Sequence, residues 1–159
     1  MSITHFSGPV MTGLQKDATG DTADPTNIGP VVSQQSVNLT QNSTTAVSGT
    51  INVPAGSRII DIIVDVLTAF NSVTSATLSV GTAAAGTQYA SGVDAKVAGR
   101  VRPTFTAAQL AAMSNQTVLG AAAAVAGPVV VTITPVGATT AGYVTATVIY
   151  AQQPTSDEV

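Results

Sequence analysis

The chain has 159 residues, enough for one domain with a buried core. Apolar residues make up 45% of it and charged residues only 8%, where ordinary soluble domains carry about 25% charge. The net charge of −3 and the pI near 4.6 argue against the basic face that a nucleic-acid partner requires. With no cysteine, disulfides, thiolate metal sites and thiol nucleophiles are excluded.

Mean hydropathy is +0.38, yet no run reaches the roughly 18 apolar residues of a membrane span. The opening MSITHFSGPV lacks the basic start and apolar centre of a signal peptide. The expectation is a soluble protein with no membrane partner, made in the cytoplasm, whose sparsely charged surface is covered by other subunits.

Residues 1–45 read as an extended N-terminal arm. Gly, Pro, Asp, Thr, Asn, Gln and Ser dominate, and Gly8-Pro9, Asp24-Pro25 and Gly29-Pro30 keep the chain turning or extended. Within the arm, Val31 to Thr40 (VVSQQSVNLT) is a candidate first strand. Ile3, Phe6, Val10, Met11 and Leu14 are irregularly spaced anchors suited to lying over a partner; disorder in the free protein is the competing reading.

From Ala46 to residue 152 the pattern is that of a β-sandwich domain. Val47, Gly49, Ile51 and Val53 alternate with polar residues. A Pro54-Ala55-Gly56-Ser57 turn leads into Arg58–Leu67, a β-branched run that fits a pleated sheet better than a helix. This central strand is expected to bury Ile60, Ile62, Val64 and Val66 on one face. Its other face, also buried, holds Ile59, Ile63 and Leu67 with Asp61 and Asp65.

Leu78 and Val80 alternate with Thr77 and Ser79, and Gly81–Thr87 is a small-residue loop. Tyr89–Val101 holds two short strands, or one strand and a bulge. Thr106–Met113 is the one convincing helix, capped by Thr106. Pro128–Pro135 and Gly142–Ala151 are strands close enough to form a hairpin across Val136–Ala141. In the second, Val144, Ala146, Val148 and Tyr150 face one way and Tyr143, Thr145, Thr147 and Ile149 the other. Residues 153–159 are a polar, flexible tail. The fold class is mainly β: a single β-sandwich or jelly-roll-like domain with one short helix.

No catalytic set emerges. His5, the only histidine, sits in the arm and reads as a surface or interface residue. Asp61 and Asp65 fall roughly 13 Å apart at about 3.3 Å per residue, too far for a retaining carboxylate pair. They read instead as ion-pair partners of Arg58, Arg100 or Arg102, or as subunit-interface residues. Asp17, Asp21 and Asp24 crowd one loop without the spacing of a calcium loop and read as a solvated turn. No cofactor or metal is expected, and the protein is read as a non-enzyme.

The "VPAG" turn, the "SATLSVGT" strand, the "GRVRPTFTAAQLAAM" passage and the "TPVGATTAG" segment together resemble small structural proteins of tailed bacteriophage virions, associated with the head. The resemblance covers about residues 31–152. It implies a capsid decoration (cement) protein on the virion surface, binding the major capsid protein and itself, as a homotrimer, and stabilising the head. It also leaves open a tail, baseplate or fibre subunit, or a receptor- or glycan-binding module using Gly81–Thr87 or Val136–Ala141.

Overall fold

The structure, a computed structural model, describes residues 31–54, 57–114 and 127–152. Eight strands and one helix follow in the order β1 (Val31–Thr40), β2 (Val47–Val53), β3 (Ser57–Thr68), β4 (Ser75–Gly81), β5 (Ala90–Asp94), β6 (Gly99–Val101), α1 (Ala107–Ser114), β7 (Gly127–Val136) and β8 (Tyr143–Gln152). They form two four-stranded antiparallel sheets, sheet A in the order β1-β8-β3-β6 and sheet B in the order β2-β7-β4-β5. Apart from the consecutive pair β4 and β5, each strand crosses to the opposite sheet, which gives the jelly-roll-like sandwich expected from the alternation.

The two inner faces make one aliphatic core. Sheet A contributes Ile62, Val64, Val66, Val144, Ala146 and Val148, and sheet B contributes Leu78, Val80, Val129, Val131 and Ile133, all buried. β8 alternates as its sequence demands, with Val144 to Tyr150 inward at even positions and Tyr143 to Ile149 half-buried at odd ones. β1 pairs with β8 over its whole length, so the first strand of the sandwich lies within the segment 1–45.

Three expectations need correction. Ile60 is 45% exposed while Ile59 is buried, because a bulge between Ile59 and Asp61 shifts the register against β8. One extra residue reverses which parity faces the core. A second irregularity between Val66 and Thr68 leaves Leu67 exposed. Next, the other face of β3 is half-buried, not buried: Asp61, Ile63 and Asp65 are all partly open to solvent. Finally, β7 and β8 do not form a hairpin, since one lies in sheet B and the other in sheet A. Their connection bridges the layers. Asn71 holds it, Oδ1 accepting from the Thr140 and Ala141 N–H groups at 2.9 and 3.1 Å and Nδ2 donating to Thr140 Oγ1 at 2.7 Å.

The helix begins where Thr106 caps it. Gln109 N–H donates to Thr106 Oγ1 at 3.3 Å, and Gln109 Oε1 accepts from Thr106 N–H at 2.9 Å, a reciprocal capping box. Gln109 Nε2 also donates to Thr87 O at 3.2 Å, tying the helix to the β4–β5 connection. Met113 enters the core from the same helix.

The two ends of the sandwich differ. Val31 and Ser57 both lie opposite Gln152, and Val53 lies opposite Gly127, so these strand ends gather at one end. At the other end the connections bond to one another: Gln41 N–H to Gly142 O, Phe70 N–H to Ala95 O and Asn71 N–H to Ala141 O, at 3.0–3.2 Å.

At one flank β1 and β2 come together over Gly49, where an added Cβ would fall 2.5 Å from Val37 Cγ2 and 2.9 Å from Leu39 Cδ2. Both partners are branched and sit on strands, so they cannot swing away freely. Gly49→Val should therefore lower stability by roughly 1–3 kcal/mol through overpacking, read as a drop in urea midpoint with an unchanged slope.

Candidate interaction surface

The outer face of sheet A gathers residues far apart in the chain. Because Ile62, Val64 and Val66 point inward, Asp61, Ile63 and Asp65 point outward on β3. β8 places Tyr143, Thr145, Thr147 and Ile149 beside them, β1 adds Gln34, Ser36 and Asn38, and β6 brings Arg100. The register lines these up in rows. One runs across all four strands as Asn38, Thr145, Asp65 and Arg100.

Arg100 grips Asp65 with two parallel bonds, Nε to Oδ1 at 2.7 Å and Nη2 to Oδ2 at 3.0 Å. This side-on pairing suits the planar guanidinium. Arg102 Nη1 lies 3.4 Å from Asp61 Oδ2. Asp61 Oδ1 meanwhile accepts the Ile62 N–H at 2.8 Å, satisfying a main-chain donor beside the bulge. Arg58 is exposed in the adjacent row, opposite Ala151. Thus Asp61 and Asp65 each meet a separate arginine and do not converge on each other.

Toward β1 the same face is neutral. The Ser36 and Thr147 hydroxyls share a hydrogen bond of 2.8 Å, and Thr145 Oγ1 donates to Asn38 Oδ1 at 2.8 Å. Ile63 continues the Ser36–Thr147 row, and Ile149 lies in the next row beside Gln34 and Asp61; both are half-buried. A surface of neutral polar groups, half-buried aliphatic side chains and the Asp61 and Asp65 ion pairs leaves few charges to be stranded when protein covers it. It supplies no nucleophile with an adjacent base.

Among the described residues, no group of three or more acidic or histidine side chains is placed to hold a metal ion. No described helix is long and apolar enough to cross a membrane. Ile3, His5, Phe6, Val10, Met11, Leu14, Asp17, Asp21 and Asp24 lie outside the described residues. The two loops considered for ligand contacts occupy opposite ends of the sandwich. Gly81–Thr87 is tied down by Ala85 N–H to Thr132 Oγ1 at 2.9 Å and by Thr82 N–H to Gln88 Oε1 at 3.3 Å. Val136–Ala141 is held by Asn71.

Sequence reasoning singles out Arg58, Asp61 and Asp65 on β3, Arg100 on β6 and Arg102 just after it, but not the neutral rows beside them. The outward set on β8 was legible from alternation. Its apposition to Ser36 and Asn38 needed the strand order.

No protein-family model matches the chain, and no curated protein does. Among solved structures, a chain of the cyanophage Pam1 capsid asymmetric unit is similar at 24% identity and a TM-score of 0.48, covering 78% of this chain and 86% of that one.

The Arg100 hydrogen bonds hold the Asp65 carboxyl below its ordinary value of 3.8, against a smaller opposing push from desolvation. A carboxyl whose folded pKa is depressed contributes stability that is fully present above the ordinary value. That contribution is lost as pH falls through the lower folded value. Asp65 should accordingly titrate below 3.8 in a carbon-detected NMR titration, and Arg100→Ala should move it upward. Because the pair is exposed, added salt should shrink the difference.

Proposed function

We propose that the protein is a non-enzymatic virion structural protein, a capsid decoration (cement) protein that binds the outside of an assembled phage head. One observation carries the reading. The segment that resembles head-associated phage proteins, about residues 31–152, is coextensive with the sandwich, from Val31 in β1 to Gln152 in β8. The shared pattern thus runs from the first described strand to the last.

The physical character of the unit supports the same role. A chain with 8% charged residues and an outer face of neutral rows and ion pairs suits repeated protein contact. The partner in this reading is the major capsid protein, with further contacts between copies of the chain itself. β1 begins beside the strand ends Ser57 and Gln152, and residues 1–30 precede it in the sequence. There Ile3, Phe6, Val10, Met11 and Leu14 supply apolar contacts to the shell.

Binding restricted to the assembled shell stabilises it by mass action. Many copies, each touching neighbouring capsid subunits, add avidity that no single contact provides.

The decisive assay mixes purified protein with heads of its own phage that lack it, then sediments them. Saturable binding at a fixed ratio to the major capsid protein, with heads that resist heating better, is the expected result. Removing residues 2–30 should abolish binding while leaving the domain's melting transition in place. Full binding by the shortened protein would remove the arm from the mechanism. Failure of the intact protein to bind heads would favour a tail, baseplate or fibre subunit, and hexameric rings would then be sought by native mass spectrometry.

A further inference from the structure

An edge strand presents a row of unpaired N–H and C=O groups to any chain that can lie beside it. Proteins usually blunt such edges with charge, proline, bulges, shortness or a covering helix. Here the four edges are β1 and β6 in sheet A, and β2 and β5 in sheet B. They are treated very differently.

The β5/β6 flank carries every one of these devices. β6 has only three residues, includes Arg100, and runs into Arg102 and Pro103. β5 has five residues, shifts register against β4, bends at Gly92 with φ +69°, and ends in Asp94. Helix α1 packs against β3, and its Gln109 Nε2 donates to Ser91 Oγ of β5 at 3.5 Å.

β1 carries none. It is ten residues long, VVSQQSVNLT, without charge, proline or glycine. Its register with β8 runs unbroken from Val31 to Thr40. Among the described residues β8 is its only strand partner. The neighbouring β2, also uncharged, packs beside it without forming a ladder.

We infer that β1 is a self-association edge: two copies of the chain pair β1 against β1, antiparallel about a two-fold axis, joining their A sheets into one continuous sheet. The flank asymmetry selects the second copy as occupant. Head-to-tail addition through the opposite flank would need an acceptor on β5 or β6, which are blunted, whereas β1 against β1 needs no second kind of edge. Contact between like flanks is isologous and closes at two copies.

The side chains fit this arrangement. A two-fold axis normal to the sheet keeps outward residues beside outward residues. The outward Gln34, Ser36, Asn38 and Thr40 then meet with no like charges opposed. The hydrogen-bonded rows Ser36–Thr147 and Asn38–Thr145 end at the β1 edge, where a second copy's amides and hydroxyls extend them. Half-buried Ser33, Gln35 and Val37 on the inner side gain cover as well. The dimer replaces the trimer that resemblance alone implies, and it stands independently of the virion reading.

The test uses the full chain and a charge swap on two exposed outward positions. Sedimentation velocity and native mass spectrometry should find the wild type dimeric. S36K/N38K and S36E/N38E, at exposed positions that face each other across the two-fold, should each be monomeric and still melt cooperatively. Mixing the two variants should restore a heterodimer, because lysines of one strand then face glutamates of the other. A wild type that is monomeric (as when residues 1–30 of the same chain cover the edge), trimeric or hexameric overturns the inference. So does a lysine variant that stays dimeric, or a mixture that stays monomeric.

Discussion

Everything in the sandwich depends on β8 lying between β1 and β3. That single strand supports two long antiparallel ladders, one to Val31–Thr40 and one to Ser57–Thr68. Its inward residues Val144, Ala146 and Val148 sit at the centre of the core. Both ladders join residues far apart in sequence, as Val31 with Gln152 and Ser57 with Gln152 show. Contacts of this sequence separation cost loop-closure entropy before they return any burial, which places this fold among the slower-folding topologies.

The bulge at Ile60 follows from the same geometry. β3 must bury a continuous face against β4 and β7 side chains and also present Asp61 and Asp65 to the arginines of β6 and its extension. An uninterrupted strand beginning with Ser57 and Ile59 inward would turn Asp61 into the core. One inserted residue brings Asp61 out, and its carboxylate then bonds the next main-chain N–H. The cost of a buried carboxylate without a cation is far larger than that of a local twist. The outer face of sheet A is therefore a product of how β3 avoids burying its acids.

Much of this was legible in the chain. Alternation placed β2, β4 and β8 and assigned the two faces of β8 residue by residue, because period-two burial leaves a mark on each side chain. The helix was legible from Thr106 and its alanine-rich continuation, although the reciprocal role of Gln109 was not drawn out. Ile60 was placed on the wrong face because a bulge changes parity without changing composition. The β7–β8 hairpin was expected from proximity in sequence. Nothing in Val136–Ala141 announces that it spans two sheets, and the Asn71 side chain that holds it lies about seventy residues earlier. Of the interaction surface, the charged residues were visible singly, while their pairing and the neutral rows beside them were not.

By itself, then, the amino-acid sequence determined a mainly β domain, most of its strands, the helix that Thr106 starts and a chain poor in charge. These follow from local preferences and from burial, which act on each segment separately. Only the tertiary structure decided which strands are neighbours, which of them lie at the sheet edges among the described residues and which arginine meets which aspartate. Those are properties of pairing between distant segments: many strand orders satisfy the same alternation, and close packing of the two faces selects one of them.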